Sequence, residues 1–321
     1  MNSPAKAAAA LTARQLIASA ARRFRVARLA YGHGTLNADD EAAWLMAHAL
    51  DLAFEDLAEN LDRPLPATVI RRAQALFARR IAERIPAAYL THEAWLGEHR
   101  FYVDERVIVP RSFIAELLRA RLRPWLLPQR PPHSILDLCT GSGCLAIVAA
   151  HTFRKAAVEG SDLSAGALAV ARRNVRDHHL GKRLKLIRSD LFASLAGRRY
   201  DLILSNPPYV RAPVMHRLPA EYRREPKLAL HGGADGLDLV RRILGEAAAH
   251  LNPGGWLVLE VGHNRRLVDR VFPELPFIWA ETSGGDDCVA LLQKESMMTV
   301  LPGPVTPTRS SAVPRRRQRV R

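Results

Sequence analysis

The sequence is poor in cysteine, with three residues in 321, and two of them, Cys139 and Cys144, stand in one glycine-rich turn. This number and spacing provide neither a disulfide framework nor a zinc site, and no local cluster of histidines, cysteines and acids indicates any other metal. The sequence also lacks a run of about 18 apolar residues, which a membrane span requires. We therefore expect a cytoplasmic protein without disulfides, a bound metal or a membrane anchor.

Acidic residues are fewer than basic ones: Asp and Glu number 32, Lys and Arg number 47, and the net charge is +15. Residues 309–321 contain six Arg and no acid, so the rest of the chain is only moderately basic. This charge favours an anionic partner such as nucleic acid or a ribonucleoprotein. The hydrophobic content of 48% is that of a folded protein with an ordinary core.

Residues 1–92 have a helical period. Apolar positions from Leu16 to Tyr31 fall on one face of an amphipathic helix that we expect to end at Gly32. Asn37 is placed to cap a second helix, whose acidic first turn the helix dipole favours. A third helix is predicted for residues 67–84. These elements predict a small helical domain.

Later segments have other periods. The period changes to two on either side of Asp104-Glu105-Arg106, which predicts a short β-hairpin, and a linker helix from Phe113 completes residues 93–130. In residues 131–295, strands alternate with helices, as in a parallel, doubly wound sheet. We expect strands at or near Ile135, Ala156, Leu184, Leu202, Trp256, Phe277 and Val289. Residues 296–321 are rich in Pro, Thr, Ser and Arg and are predicted to be disordered.

The most informative stretch is an apolar strand that runs from Asp201 into Asn206-Pro207-Pro208-Tyr209. Two consecutive prolines cannot continue a strand, so the chain must leave the sheet at Asn206. Open α/β sheets bind ligands just beyond the carboxyl ends of their strands. These residues alone are consistent both with an ordinary exit turn and with a ligand-binding turn.

A second informative stretch lies upstream, where the first predicted strand ends in Asp137 and turns through Gly141 and Gly143 into a helix. Such a turn lets the backbone approach a nucleotide closely and directs helix N–H groups at it. The full dinucleotide fingerprint is missing, because Cys139 stands where its first Gly would be. No Lys-Ser/Thr pair follows, which excludes a phosphate-binding P-loop.

Acids also follow the next two predicted strands. Asp162, 25 residues beyond Asp137, could accept hydrogen bonds from both hydroxyls of a ribose, or cap the helix that starts at Ala165. Asp190 could accept from an adenine amino group while Leu191 packs against the ring. Helix capping explains each acid separately. Three acids at successive strand ends, followed by Asn-Pro-Pro-Tyr, together predict a nucleoside-bearing ligand.

The acids and the Asn-Pro-Pro-Tyr stretch, in this order, resemble the class I S-adenosylmethionine-dependent methyltransferases that act on amino groups. A helical domain followed by Val109-Pro110-Arg111 is similar to the protein-glutamine N5-methyltransferases. One branch of that family acts on the Gly-Gly-Gln loop of release factors, the other on a glutamine of large-subunit ribosomal protein three. The segments Tyr31–Thr35 and Glu221–Pro226 resemble the ribosomal-protein branch, whereas Cys139 and Leu191 depart from the Gly and Trp usual in the release-factor branch.

The resemblance implies an α/β class I methyltransferase fold, S-adenosylmethionine as cofactor and methyl transfer to a glutamine side-chain nitrogen. The implied cofactor-binding residues are Asp137, Cys139, Thr140, Gly141, Ser142, Gly143, Asp162, Asp190, Leu191 and Asn206. The implied catalytic residues are Asn206, Pro207 and Tyr209, and the substrate-binding residues include these three with Pro208 and Arg111. Residues 1–92 would recognise a large-subunit ribosomal protein or a nascent ribosomal particle, and the Arg-rich tail could contact RNA.

Several alternatives stay open. The Asn-Pro-Pro-Tyr stretch also serves enzymes that methylate exocyclic amines of DNA and RNA bases, and the net charge agrees with such substrates. A cofactor-binding assembly factor without catalysis is a non-enzymatic alternative. Arg111 could bind a substrate or cofactor carboxylate or form a surface ion pair. His33 is interpreted as structural, and Glu225-Pro226 as shaping the substrate groove.

Overall fold

The computed structural model describes residues 11–126 and 129–298. Most of the predicted disordered tail, and with it the predicted RNA contact of the tail, lies outside these residues. The start of the tail was predicted wrongly, because residues 294–298 form a helix. Among the described residues, no helix is both long and apolar enough to cross a membrane.

The amino-terminal part is helical. Its helices are α1 (Ala13–Val26), α2 (Ala38–Ala49), α3 (Ala67–Glu83) and α4 (Ala87–Thr91), with a 3-10 helix at Phe54–Asn60. Asn37 caps α2 as predicted, since its side chain accepts from the Asp40 N–H at 2.9 Å. Helix α1 ends earlier than predicted, because Arg28 adopts a left-handed conformation with φ of 51°. The rings of Phe24 and Phe77 meet edge to face in the domain core.

The hairpin is formed by β1 (Ala94–Leu96) and β2 (His99–Phe101), and helix α5 (Ile114–Arg119) follows. Its turn is at Gly97, where φ is 64°, and not at residues 104–106 as predicted. The Asp104 carboxylate instead accepts from the backbone N–H and the guanidinium of Arg106, which closes a separate local turn. Val103 and Val107 are buried there without belonging to a strand.

The carboxy-terminal part is a seven-stranded sheet. Its strands are β3 (Ser134–Leu138), β4 (Ala157–Asp162), β5 (Leu184–Arg188), β6 (Tyr200–Ser205), β7 (Leu251–Glu260), β8 (Ile278–Thr282) and β9 (Gly285–Gln293). The spatial order is β5-β4-β3-β6-β7-β9-β8, in which β9 runs antiparallel to both of its neighbours and the other six strands run in one direction. The order changes direction between β3 and β6, so a crevice opens at the carboxyl ends of these strands.

Helices cover both faces of this sheet. The helices of this part are α6 (Cys144–Thr152), α7 (Ala165–Asp177), α8 (Ala212–Met215), α9 (Asp238–Ala247), α10 (Arg265–Val271) and α11 (Lys294–Met298). Short 3-10 helices lie at Tyr222–Arg224, Lys227–Ala229 and Ala248–His250. One apolar core packs α5 and α6 against the sheet, and another packs α9 against its other face. The predicted doubly wound fold is confirmed.

Candidate active site

The turn after β3 is built around the buried side chain of Asp137. Its Oδ2 accepts from the Thr140 hydroxyl at 2.5 Å and from the Ala146 N–H at 2.9 Å, so it joins both ends of the turn. Its Oδ1 is buried and has no hydrogen-bond partner among the residues that the structure describes. Burial raises the pKa of Asp137 to about 7. Asp137 therefore holds the shape of the turn from behind.

The same turn brings its backbone toward the end of β4. Cys139, Gly141 and Gly143 all have positive φ, of 63°, 55° and 82°. Positive φ favours glycine, so Cys139 holds a conformation in which most side chains are strained. A Cβ at Gly143 would lie 3.2 Å from the Ala171 Cβ, so glycine lets α6 approach α7 closely. The sequence-based interpretation of a tight strand-to-helix turn fits this geometry.

Asp162, at the end of β4, lies directly opposite this turn. Its Oδ2 accepts from the Gly141 N–H at 2.9 Å and its Oδ1 from the Ser164 N–H at 2.8 Å. Ser164, not Asp162, caps α7 by accepting from the Ala167 N–H. Burial raises the pKa of Asp162. Because each carboxylate oxygen can accept a second hydrogen bond, Asp162 can still bind ligand hydroxyls.

The turn after β5 supplies Asp190 and Leu191. Asp190 is exposed and forms an ion pair with Arg242 at 3.0 Å. Leu191 is buried with φ of 47°, and its carbonyl accepts from the Ser189 hydroxyl. The turn therefore presents a charged group and an apolar side chain to the same space.

An open cleft lies at these strand ends. Six of the predicted cofactor-binding residues line it: Cys139, Gly141, Asp162, Asp190, Leu191 and Asn206. The other four, Asp137, Thr140, Ser142 and Gly143, lie behind the turn and shape it. The cleft also contains residues that the sequence did not single out: Ile108, Ser161, Leu163, Leu228 and Leu239. Ile108 comes from the linker and Leu228 from the loop after β6. Neither residue lies at the end of a strand, so a search of the strand ends could not find them.

The cleft fits the nucleoside of S-adenosylmethionine. Asp162 offers acceptor capacity, and the buried hydroxyl of Ser161 has no hydrogen-bond partner among the described residues. The side chains of Ile108, Leu191 and Leu228 provide apolar walls. Such a combination of apolar walls with a few polar groups is typical of a cofactor site.

Asn206-Pro207-Pro208-Tyr209 leaves the sheet at the edge of this cleft. Pro207 and Pro208 are buried, whereas Asn206 and Tyr209 are half-buried. Within the described chain, no hydrogen bond occupies the Asn206 side-chain amide, so its oxygen is free to accept. The exit is held in place by the next residues, because the Val210 N–H donates to the Leu230 carbonyl at 2.8 Å.

The ring of Tyr209 packs on the loop after β7. A Cβ at Gly262 would lie 2.7 Å from the Tyr209 Cε2, so only glycine leaves room for the ring. Burial raises the pKa of Tyr209, with a smaller contribution from Glu260. The phenol therefore stays neutral near neutral pH.

Arg111 contacts a carboxylate of its own chain. It forms a bidentate ion pair with Glu225, at 2.5 and 2.7 Å, and its guanidinium lies over the Tyr222 ring. Glu225 also accepts from the Val109 N–H, and the buried His33 lies 3.7 Å away. Burial acts to raise the pKa of Glu225, but hydrogen bonds from Arg111 lower it to about 2. Arg111 thus forms an ion pair, as one of its two interpretations states, but the partner carboxylate is buried.

A second group of charges lies between the helical domain and the loop after β6. The fully buried Arg80 donates to Glu41 at 2.6 Å and to Glu221 at 3.2 Å, and Arg84 also binds Glu221. We call this group, together with Arg111 and Glu225, the junction cluster. Its two loop acids tie the loop after β6 to the helical domain and the linker. Sequence reasoning missed it because Arg80 looks like part of a polar helix face.

The structure also brings histidines together that the sequence keeps apart. His99, His151 and His178 place ligand atoms within 4.8 Å of one another, and His263, Asp287 and Cys288 form a similar group. Neither group is a local cluster in the sequence. The first forms only because the fold places β2 beside the ends of α6 and α7.

Three comparisons relate the chain to known proteins. The family model "Methyltransferase small domain" matches residues 122–218, and "PrmC N-terminal domain" matches residues 15–91. A ribosomal protein uL3 glutamine methyltransferase of Neisseria meningitidis serogroup B is 53% identical over 287 residues, covering 89% of this chain and 94% of the relative. One of Burkholderia pseudomallei is 50% identical over 296 residues, covering 90% and 96%. The solved structure of a methyltransferase from Pyrococcus furiosus has a TM-score of 0.46 at 20% identity and covers 70% of this chain and 98% of that one.

Proposed function

Because the chain belongs to the family of ribosomal protein uL3 glutamine methyltransferases, we propose that it methylates a glutamine side-chain nitrogen of ribosomal protein uL3 with Asn206 as catalytic residue. It is an S-adenosylmethionine-dependent protein-glutamine methyltransferase. The observation that carries the catalytic assignment is the side-chain amide of Asn206, which has no hydrogen-bond partner in the described ranges and is held by a rigid exit turn at the edge of the cofactor cleft.

Methylation of an amide poses a specific chemical problem. The nitrogen lone pair is delocalised into the carbonyl, so the amide is a poor nucleophile. S-adenosylmethionine, when bound, supplies a methyl group on a positively charged sulfur. The protein must orient the nitrogen and favour its pyramidal form, in which positive charge develops.

Asn206 and Pro207 have suitable acceptors for this task. The Asn206 Oδ1 and the Pro207 carbonyl would each accept one hydrogen of the glutamine NH2 and so fix the direction of its lone pair. Acceptors placed where positive charge develops stabilise the transition state more than the planar ground state. Pro207 and Pro208 keep the turn rigid, and the neutral Tyr209 ring would pack on the amide and exclude water. After transfer, the nitrogen releases a proton to water at the half-exposed mouth of the site.

Of the cofactor-cleft residues, Asp162 would accept the ribose hydroxyls, and Leu191 would contact the adenine. Asp190 would bind the adenine amino group, with Arg242 holding its carboxylate in place. We propose that Asp137, Thr140, Ser142 and Gly143 act by shaping the turn. Arg111 would support the substrate site through Glu225 rather than by direct contact.

The substrate assignment is supported by the helical domain. We propose that residues up to 92 recognise the ribosomal protein in the cytoplasm, that residues 93–130 link the domains, and that residues 131–295 bind the cofactor. The names of the relatives favour uL3 over a release factor, and the match of residues 15–91 favours a protein over a nucleobase.

The Asn206→Ala variant tests this function. We expect it to bind S-adenosylmethionine within about twofold of the wild type and to lose at least ~100-fold in kcat, since one preorganised hydrogen bond is worth about that much. Calorimetry measures the binding, and intact-mass analysis of purified uL3 measures the methyl transfer. Asn206→Asp, which keeps the oxygen acceptor, should retain more activity.

Two outcomes would contradict the proposal. Near-normal turnover of Asn206→Ala would remove the catalytic role of this residue. Methylation of a release factor, with uL3 left unmodified by the wild type, would overturn the substrate.

A further inference from the structure

A second concavity lies at the opposite edge of the sheet from the cofactor cleft. It encloses about 710 Å³ next to the amino-terminal ends of β3 and β4. We call it the back groove, and its charged lining consists of Glu98, His99, Arg119, Arg121, His151, Arg154 and Lys155. Strands of five or six residues separate it from the cofactor cleft by about 17 Å. A ligand of the back groove would therefore not compete with the cofactor.

The back groove has an excess of positive charge. Arg119, Arg121, Arg154 and Lys155 are exposed, and none of them forms an ion pair within the described part of the chain. Arg121 is held in place, because it donates to the Thr152 carbonyl at 3.2 Å and lies over a phenylalanine ring. These four cations face a single lining carboxylate, which belongs to Glu98.

Two of the three clustered histidines, His99 and His151, line this groove, and His178 lies beside them. The His178 Nε2 lies 2.8 Å from the Arg100 carbonyl, so it must donate, and the Nδ1 of a neutral ring then accepts from the His151 Nε2 at 3.2 Å. His99 stacks on His151 with 4.7 Å between ring centres. His99 and His151 therefore have ring nitrogens that can take up protons beside the four cations.

The surrounding charges decide between two kinds of ligand. Three neutral imidazoles could hold a divalent metal, since each offers a nitrogen. However, Arg154 and Arg183 face His151, and Arg119 faces His99, with Glu98 as the opposing charge. This arrangement repels a dication and attracts an anion.

We propose that the back groove binds the phosphodiester backbone of RNA. Cations from α5 and from the loop after α6 would contact several phosphates at once, as a polyanion requires. The choice of RNA rests on the proposed function, because a ribosomal protein is assembled on ribosomal RNA. The enzyme could then hold RNA at one edge of the sheet while the substrate glutamine enters at the other.

The test uses the full-length Arg119→Gln, Arg154→Gln, Lys155→Gln triple variant and a fluorescent RNA hairpin of mixed sequence. We expect binding about tenfold weaker than for the wild type. The slope of log affinity against log salt concentration should be shallower by about two, because each lost phosphate contact removes ~0.7 from that slope. A matched control, Arg22→Gln, Arg23→Gln, Arg71→Gln, removes three exposed cations of the helical domain. It should bind within about twofold of the wild type.

The histidines give an independent readout. Burial and the neighbouring cations lower the pKa values of His99 and His151 from the ordinary 6.5, so binding of the wild type should tighten mainly below about pH 6.5, where the rings protonate next to the bound phosphate. The His99→Gln, His151→Gln double variant should lose most of this pH dependence.

Any of three outcomes would overturn the proposal. The back-groove triple variant could bind RNA as tightly as the wild type, or the triple variant and its matched control could lose equal RNA affinity. The third outcome is Zn²⁺ binding that requires His99 and His151, together with an RNA affinity that does not change when these histidines are replaced. Methyl transfer to free uL3 should be normal in the back-groove variant. A failure of RNA binding would therefore leave the proposed function standing, and loss of methyl transfer by Asn206→Ala would leave RNA binding intact.

Discussion

Two groups of carboxylates in this protein, each buried or half-buried, have opposite surroundings. Around the cofactor cleft, Asp137 lies behind the turn and the half-buried Asp162 faces the cleft. Both accept hydrogen bonds only from backbone N–H groups and a hydroxyl, and no basic side chain pairs with them in the described chain. The junction carboxylates are paired with guanidinium groups: Glu41 and Glu221 with Arg80, Glu221 with Arg84, and Glu225 with Arg111. Similar burial thus serves two different purposes.

The pKa values express this difference. Burial raises the pKa of Asp137 to about 7, whereas Arg111 brings that of Glu225 down to about 2 against the effect of burial. Glu41 is intermediate, because burial raises its pKa more than Arg80 lowers it. Asp162 keeps acceptor capacity for a ligand, while the junction carboxylates use theirs to hold the loop after Tyr209.

The largest effect is expected when a junction pair is broken. Glu225→Ala leaves Arg111 unpaired and the Val109 N–H without its acceptor, so we expect a loss of about 3–5 kcal/mol in the free energy of unfolding, measured in urea. Asp51→Ala is a matched control, because Asp51 also forms a bidentate pair, with Arg72, but on the surface. It should cost much less than Glu225→Ala, because ion pairs on the surface contribute little to stability. Equal small losses would show that the junction acids behave like surface acids.

A smaller effect is expected in the pH dependence of stability. Asp137 has a folded-state pKa above its ordinary value of 3.8, so the folded state holds a proton that the unfolded state has released. Its contribution is most favourable at low pH and falls by about 2 kcal/mol between about pH 5 and pH 7. The Asp137→Asn variant should lack this fall, which urea unfolding at the two pH values would show.

Glu225 has the opposite sign. Its stabilisation is present above its ordinary pKa of 4.5 and is lost as the pH falls toward about 2.

Parallel stability profiles of the wild type and Asp137→Asn between about pH 5 and pH 7 would contradict the assignment of Asp137 as a buried acid with a raised pKa.

The smallest effect concerns cofactor affinity. Asp162→Asn replaces one acceptor oxygen by a donor, so we expect S-adenosylmethionine to bind about tenfold more weakly by calorimetry. Asp190→Asn should weaken binding less, because Asp190 is half-exposed and already paired with Arg242. The comparison would fail if Asp190→Asn had the larger effect.

Much of the fold could be predicted because local signals act over a few residues. Helix α7 begins at Ala165 and strand β5 at Leu184, as predicted, since Ser164 caps the helix and the strand is a short run bounded by turns. The hairpin turn was misplaced, because a period of two cannot distinguish a strand from buried valines in an irregular loop. The end of α1 was misplaced because no glycine or proline marks Arg28 as a break.

Prediction of the candidate site was less complete. Strand-end acids and Asn206 were found, since the carboxyl ends of parallel strands meet in one place. Whether an acid faces the cleft, as Asp162 does, or lies behind the turn, as Asp137 does, depends on side-chain direction and could not be derived from spacing. Ile108 and Leu228 reach the cleft from segments without a local signal.

The sequence by itself determined the series of strand-end acids and the rigid exit at Asn206, because alternation, glycine and proline act through neighbouring residues. Only the tertiary structure decided which charges are paired and which are free. Arg111 meets Glu225 across 114 residues and Arg80 meets Glu221 across 141, while the cations of the back groove form no ion pair in the part of the chain that the structure describes. Pairing depends on distances of a few ångströms between side chains, which no spacing along the chain specifies.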